Sequence, residues 1–493
     1  MMRLCGGLGP LSAEERVGIA YASLSGSSSI SSVASAHGVS RKTVYRYEAT
    51  AREAIETALT PVAEAEETIL FDLPVTRRWL RQLIVSLTLI CRGSFRGVLE
   101  LLDDLVGVKL SLGHVHNVLT AAGVSAEAIN RAQDLSPIDV GLHDEMFHDT
   151  APILAGVDAA STYTYLLAAA EHRDGDTWGV HLLDLREQGF APCYTIADAG
   201  KGARAGQRLA WEGEEVPPCH GDVFHMHHQM ESTVNLQKRI AGGQRTHQEK
   251  LQARIDGGDQ TEERATQLSA AIETAATSKI FIDDLRLLIH WMERDVLSLA
   301  GPCLLIRREL FDFITAELEQ RAAHDEQRIR PLCVALKNQR DHLLAFAGVI
   351  DEKLADIARR YHLSEDDVRQ ACLPHRLPIT GRSFWPRWNQ LHARLGAIFR
   401  PVFAAVAAAL AQTPRCSSLV ENLNSRLRTY VTLRREIGGA YLGLLQFYFN
   451  HRRFTRSRRP ERVGKSPCEL MTGKQHPHWL TMLGLGPLQP KRV

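Results

Sequence analysis

A chain of 493 residues, 44% hydrophobic and 23% charged, has the composition of a globular protein and is too long for one simple core, so three or more domains are expected. Its net charge of +1 conceals an asymmetry: residues 421–493 carry 14 lysines and arginines against 4 acids, and residues 1–420 balance to −9. No run approaches the roughly 18 apolar residues that span a bilayer, and the N-terminus MMRLCGGLGPLSAEERV lacks the apolar core of a signal peptide. Nine cysteines scattered singly, with no CxxC pair, exclude a zinc ribbon or finger and read as free thiols. The expectation is a cytoplasmic protein with a basic, nucleic-acid-facing C-terminal end.

Residues 11–56 read as small helices. Leu11 to Ala22 is periodic behind the cap LSAEE. Ile30, Val33 and Ala34 mark a short second helix, and Gly38 suits a left-handed turn. Ser40 caps a third helix that carries Arg41, Lys42, Thr43, Tyr45 and Arg46. A short helix, a glycine turn and a polar, basic helix form a helix-turn-helix pattern that binds DNA.

A weaker copy follows a packing helix in TRRWLRQLIVSLTLICRGS. It has a helix from Ser94, a turn near Gly107 and a helix from Ser111 to Ala122, where Ser111, His114, His116 and Asn117 are candidates to face DNA. A purely structural helical subdomain explains it equally well.

From residue 138 the period changes. IDVGLHDEMF, ILAGVDAASTYTYLLAAAEH and WGVHLLDL predict strands, REQGFAP a weak helix and CYTIAD another strand. ARAGQRLAW predicts a helix, and VPPCHGDVFHMHHQ a short strand ending at Asp222 and His225. Residues 226–412 read as almost wholly helical. One long helix is expected from Ser418 to Phe449, then a basic, partly extended segment.

Three acids carry the chemistry. Asp144 lies in an alternating stretch and is preferred over Glu145, because alternation lets only one of the two face a common site. Asp198 ends an apolar run, and its GKGARAG sequel does not fit a dinucleotide loop. Glu421 stands with Asn424 and Arg428 at i, i+3 and i+7, on one helix face, although Ser418-Leu-Val-Glu421 also reads as a capping box.

This order of acids, in these settings, resembles the DDE transposases of bacterial insertion sequences, over roughly residues 138–475. The long gap before Glu421 and the motif Asp222-Val-Phe-His225 resemble the subgroup with an all-helical insertion before the glutamate and a C-or-D, two residues, His motif after the second aspartate. The resemblance implies a multidomain α and α/β protein: N-terminal helix-turn-helix domains and an RNase H-like mixed-sheet catalytic core interrupted by a large all-α insertion. In that fold the first aspartate sits on the first strand, the second follows the fourth, and the glutamate lies on a later helix.

The implied domains are 1–65 (helix-turn-helix), 66–136 (second helical), 137–225 (first part of the core), 226–412 (insertion), 413–450 (final core helix) and 451–493 (basic segment). Asp144, Asp198 and Glu421 are then catalytic and hold two Mg²⁺ ions, for which Mn²⁺ substitutes, so that water or a 3′-hydroxyl attacks a phosphodiester. Asp222, His225, Asn424 and Arg428 support the site.

Arg452, Arg453, Arg456, Arg458, Arg459, Arg462 and Lys465 hold phosphates. Trp291, Trp385 and Trp388 in the insertion are candidates to stack on a base, and more simply core residues. His220, His227 and His228 invite a zinc reading that lacks cysteine partners.

The expected partners are the element's terminal inverted repeats, target DNA and at least one further copy of the chain, in the cytoplasm at the nucleoid and away from membranes. Two other readings use the same residues: a DNA-binding regulator without chemistry, and a metal-dependent nuclease on the same core.

Overall fold

The computed structural model describes residues 11–60, 71–198, 200–434, 437–486 and 491–492. Residues 1–10, where no signal-peptide core was expected, lie outside the described residues. The chain divides into two compact units, Met1–Pro74 with Gln489–Val493, and Val75–Leu488.

The first unit contains α1 (Ala13–Leu24), α2 (Ile30–Ala36) and α3 (Arg41–Leu59). Ser12 and Glu15 form the expected capping box. Gly38 takes φ 63°, and the Ser40 hydroxyl accepts from Thr43 N at 3.1 Å. Ile19, Val33, Ala34 and Val44 form the small core. The two-residue strands β1 (Phe71–Asp72) and β7 (Lys491–Arg492) pair antiparallel in the same unit.

The second unit opens with α4 (Arg77–Leu89), α5 (Phe95–Val106) and α6 (Leu112–Arg131). Gly107 closes α5 at φ 66°, where the turn was expected. Helix α6 runs nine residues beyond the expected end at Ala122, because Val115, Val118, Leu119, Ala122 and Ala126 continue one buried stripe. Gly123 on α6 permits close approach to a later helix: a Cβ there would stand 2.4 Å from the Ala440 carbonyl.

A five-stranded mixed sheet follows, made of β2 (Val140–His148), β3 (Ala151–Asp158), β4 (Thr164–Ala169), β5 (Tyr194–Ala197) and β6 (Cys219–Gly221). Its order is β4-β3-β2-β5-β6. The β2–β3–β4 part is antiparallel, while β5 and β6 add parallel to β2. On one face Leu142, Met146, Ala155 and Val157 join Ile84, Leu102, Val115, Leu427 and Leu445 in one core. Helices α4, α5 and α6 thus pack directly on the sheet. On the other face Leu154, Tyr165 and Leu166 meet Trp178, Leu182 and Phe190.

Trp178 and Leu182 belong to a helix, α7 (Gly175–Glu187), which corrects the strand expected at WGVHLLDL. Trp178, Leu182 and Leu185 recur at i, i+4 and i+7, and Asp174 caps the first turn through Thr177 N at 2.9 Å. REQGFAP, expected as a weak helix, is only the last turn of α7 and a loop. Helix α8 (Lys201–Ala210) lies beside α7, with Gly206 fitting where a Cβ would meet Trp178 Cβ at 2.4 Å.

The helical block contains α9 (Val223–Asp256), α10 (Glu262–Trp291), a π turn at Met292–Val296, α11 (Leu304–Ala322), α12 (Glu326–Tyr361), α13 (Glu365–Gln370), α14 (Phe384–Leu395) and α15 (Phe399–Ala411). Met230, Leu285, Phe311, Leu336, Phe346, Leu354 and Val402 share its core. Arg307 is buried there, 1% exposed. It donates to the carbonyls of Pro302 (2.7 Å), Ser298 (2.6 Å), Leu299 (3.1 Å) and Val296, tying down the chain reversal before α11.

Among the described residues one stretch, Phe384–Ala411, is long and apolar enough by length and composition to cross a membrane, with mean hydropathy 1.5 over its best window, although Arg387, Arg394 and Arg400 break its apolar run. Gly396 interrupts it at φ 56°, and Phe399, Val402 and Val406 pack into the core of the block.

The single helix expected over Ser418–Phe449 is two, α16 (Ser418–Val431) and α17 (Gly439–His451), because Gly438 and Gly439 break the run. On α17, Asn450 and Gln446 bond the backbone of Thr164 and Tyr165 beside β4. The basic segment holds a parallel bridge, Phe454 to Val463, and the short helices α18 (Pro467–Thr472) and α19 (Trp479–Met482). Among the described residues every cysteine is free.

Candidate metal centre

The pleat of β2 sorts its two adjacent acids. Glu145 joins the α7 side, accepting from Trp178 Nε1 at 2.9 Å and pairing with Arg173 at 3.3 Å. Asp144 points to the α16 side. It is the fifth of nine strand residues rather than a strand-end acid, but it lies past the last residue of β2 paired with β5, Leu142. The β5 strand stops at Ala197, so Asp198 follows directly beyond that ladder.

Asp144 is 8% exposed. Its Oδ1 accepts from Glu145 N at 2.8 Å, and its Oδ2 from Asn424 Nδ2 at 2.9 Å. Burial pushes its carboxyl up to about 7. The Glu145 amide and His225 oppose the shift, while Glu421 and Asp198 add to it.

Glu421 and Asn424 lie one turn apart on α16. The capping box read at Ser418 and Glu421 is not formed. The N-cap is Ser417, whose hydroxyl is turned away to Asp222 Oδ2, so the Glu421 side chain is free of that role. Arg428, expected on the same face, is exposed and holds no ion pair among the described residues.

The expected strand through His225 ends earlier, at Gly221. Asp222 is the N-cap of α9, and His225 sits in its first turn. Asp222 is 1% exposed and receives three donors: Phe224 N at 2.7 Å, His225 Nδ1 at 2.6 Å and the Ser417 hydroxyl. Burial acts to raise its carboxyl, and the bonds from His225 and Ser417 outweigh it, holding it below the ordinary value. The hydrogen bond to Asp222 raises His225 to about 9 against the opposing effect of its burial. His225 Nε2 faces Glu421 Oε1 at 3.5 Å.

Among the described residues one group is arranged to hold a cation: Asp144, His225 and Glu421, whose ligand atoms lie within 4.8 Å of one another. Asp198 stands outside that group. Its charge acts on Asp144 and His225, but its Oδ1 is engaged by Gly200 N at 2.7 Å. The set implied by resemblance (Asp144, Asp198, Glu421) is therefore gathered only in part, with His225 in the group and Asp198 outside it. Ser417 had no signal in the sequence, because nothing in CSSLVEN separates a bonded serine from a solvated one.

The other histidines do not converge. His220 is buried and stacked on Tyr194, His227 faces Glu231 and Glu293, and His228 is exposed. Trp388 packs against Phe399 and Phe403 in the core of the block, whereas Trp385 is 52% exposed and Trp291 38%.

In the first unit Arg41, Lys42, Tyr45 and Arg46 are exposed along α3, and Thr43 partly so. Ser111, His114, His116 and Asn117 are exposed on α6. In the basic segment Arg453 pairs with buried Glu469 at 2.7 Å, Arg462 donates to the Ala160 carbonyl, and Arg452 lies over Tyr448. Arg456, Arg458, Arg459 and Lys465 are exposed with no ion pair among the described residues. No family model matches this chain, and no curated protein matches it.

Proposed function

We propose that this chain is a DNA transposase of the DDE type, which binds the ends of a mobile element and catalyses metal-dependent strand cleavage and transfer. The observation that carries the reading is the meeting of Asp144, His225 and Glu421, from β2, α9 and α16, in one partly buried carboxylate–imidazole cluster on which the charge of Asp198 also acts. Three chain segments so far apart need a reason to bring acids together, since burying like charges is costly unless a cation joins them.

The acids also hold the places that the resemblance implies. Asp144 is on the first strand of the mixed sheet, Asp198 follows the fourth, and Glu421 is on a later helix after an all-helical block. This supports an RNase H-like core. The short α2, the Gly38 turn and the exposed, basic start of α3 support a helix-turn-helix reader.

A divalent cation bound at the cluster would neutralise a phosphodiester and activate water or a 3′-hydroxyl. Asp144 and Glu421 are the residues to hold it, and the donor set, two carboxylates and an imidazole, fits a dication. Asn424 and the Glu145 amide fix the Asp144 carboxylate in one orientation. Asp222, clamped by Ser417 and Phe224 N, orients His225. The free cations of the C-terminal segment and of α3 position DNA through its phosphates. This function places the protein at the nucleoid, on double-stranded DNA and acting as two or more copies.

The test incubates purified protein with Mg²⁺ or Mn²⁺, a labelled duplex from the DNA flanking the gene, and a supercoiled target. Nicking and joining are expected, and are lost in Asp144→Ala, Asp198→Ala and Glu421→Ala. No activity in the wild type, or equal activity in all three variants, overturns the reading.

A further inference from the structure

We propose that His225 is itself a ligand of the cation, so that the centre binds metal through Asp144, Glu421 and the His225 Nε2 atom and takes a transition-metal dication such as Mn²⁺ in preference to Mg²⁺. This rests on the metal-centre reading above, and it departs from the all-carboxylate set that the resemblance implies.

The first argument is distance. Ligands about 2.0–2.2 Å from a common ion stand about 3 Å apart when adjacent and about 4.2 Å apart when opposite. Asp144, His225 and Glu421 offer atoms within 4.8 Å of one another, and His225 Nε2 to Glu421 Oε1 is 3.5 Å. Asp198 is not part of this mutually close group, and one of its carboxylate oxygens is committed to its own loop.

The second argument is orientation. A metal-binding histidine typically donates its other ring nitrogen to a carboxylate, which fixes the ring and its tautomer. Here Asp222 takes Nδ1 at 2.6 Å and leaves Nε2 directed at the cluster. Asp222 is in turn immobilised by Phe224 N and by the Ser417 hydroxyl, donated from the start of α16. A histidine needed only as a counter-charge to Glu421 would not require a fully buried, three-donor carboxylate behind it. This carboxylate–histidine pair joins the two helices, α9 and α16, that contribute two of the three ligands.

The third argument is chemical type. Mg²⁺ demands near-ideal oxygen coordination, whereas an imidazole nitrogen suits transition metals. One nitrogen among three protein ligands therefore shifts preference away from Mg²⁺.

The test reads the metal rather than turnover. Full-length protein is titrated with Mn²⁺, with free ion followed by electron paramagnetic resonance, and the bound ion is examined for nitrogen-14 coupling from an imidazole. Coupling is expected in the wild type and absent in His225→Gln, with Mn²⁺ affinity lowered about 10- to 100-fold while the thermal midpoint holds. Asp222→Asn is expected to keep the coupling and to weaken Mn²⁺ binding over a similar range. Bound Mn²⁺ without nitrogen coupling, unchanged affinity in His225→Gln, or no Mn²⁺ binding at all overturns the assignment. DNA cleavage with Mg²⁺ in a protein that lacks nitrogen coupling would leave the transposase reading standing and remove this one. Nitrogen-coupled Mn²⁺ in a protein inert on DNA would do the reverse.

Discussion

The side-chain amide of Asn424 donates to Asp144 Oδ2 at 2.9 Å across 280 residues of chain. Both groups are buried, and the other Asp144 oxygen is held by the backbone of β2. Helix α16 is thereby keyed to the sheet at the acid itself.

Asn424→Ala leaves a buried carboxylate oxygen without its donor. The expected cost is about 1–3 kcal/mol in urea unfolding, together with slower DNA nicking. Asn424→Asp sets two carboxylates against each other and should cost more than the alanine variant when metal is absent. Wild-type stability in both would show that the amide does not support Asp144.

Glu421 separates activity from stability. Since Ser417 is the N-cap and its hydroxyl is spent on Asp222, Glu421 closes no capping box. Glu421→Gln should change unfolding free energy by no more than about 0.5 kcal/mol while abolishing strand cleavage. A loss near 1 kcal/mol, typical of a missing cap, would return the residue to a structural role.

Arg307 is a buried cation whose partners are backbone carbonyls rather than an acid. Arg307→Met strips the donors from the carbonyls of Val296, Ser298, Leu299 and Pro302, and should cost about 3–5 kcal/mol by thermal or urea unfolding. Arg307→Lys should fail nearly as badly, because one ammonium cannot reproduce the planar fork.

Acid should loosen the second unit through its buried histidines. Burial depresses His220 and His451 to about 4, against an ordinary value of 6.5. Between these values the unfolded chain binds protons that the folded chain refuses, so stability falls as pH drops below 6.5 and the loss is complete below about 4. Each histidine contributes about 1.4 kcal/mol of that loss by pH 5.5. Urea unfolding at pH 7.5, 5.5 and 4.5 measures it, and His451→Gln should flatten the slope.

The C-terminal cations divide by what they already hold. Replacing Arg456, Arg458, Arg459 and Lys465 together should flatten the dependence of log affinity on log salt by up to about 3–4, with little change in melting. Arg453→Ala should lower stability instead, since it uncovers buried Glu469. Equal salt slopes for the fourfold variant and the wild type would remove the segment from the DNA interface.

Local rules carried the sequence reading where one period or one turn residue decides the outcome. Alternation chose Asp144 over Glu145, Gly38 takes the left-handed conformation assigned to it, and the turn read near Gly107 falls at that residue. Those rules failed where tertiary packing or a cap competes. WGVHLLDL alternates well enough to read as a strand, but Asp174 caps it and Trp178, Leu182 and Leu185 need a helical face against the sheet. Ser418 and Glu421 have capping-box spacing, yet the helix starts one residue earlier because Ser417 is bound to Asp222. That bond links residues 195 apart and leaves no local trace. The same holds for His225: its motif was visible, but its nearness to Glu421, in a group that leaves out Asp198, is a property of the assembled helices.

Val223 N donates to the Arg415 carbonyl at 3.1 Å, next to the bond between Ser417 and Asp222. The helical block therefore leaves the sheet and returns to it through a closed neck whose two strands of chain touch. Everything between those stitches is a loop in the topological sense, however large and well packed. The block also rests on the sheet beyond this neck, where His342 of α12 donates to the Cys219 carbonyl of β6 at 3.0 Å. Selection on the outer helices of the block and selection on the acids are thus mechanically separable, whereas the first turn of α9, which carries His225, and α12, which rests on β6, belong with the site.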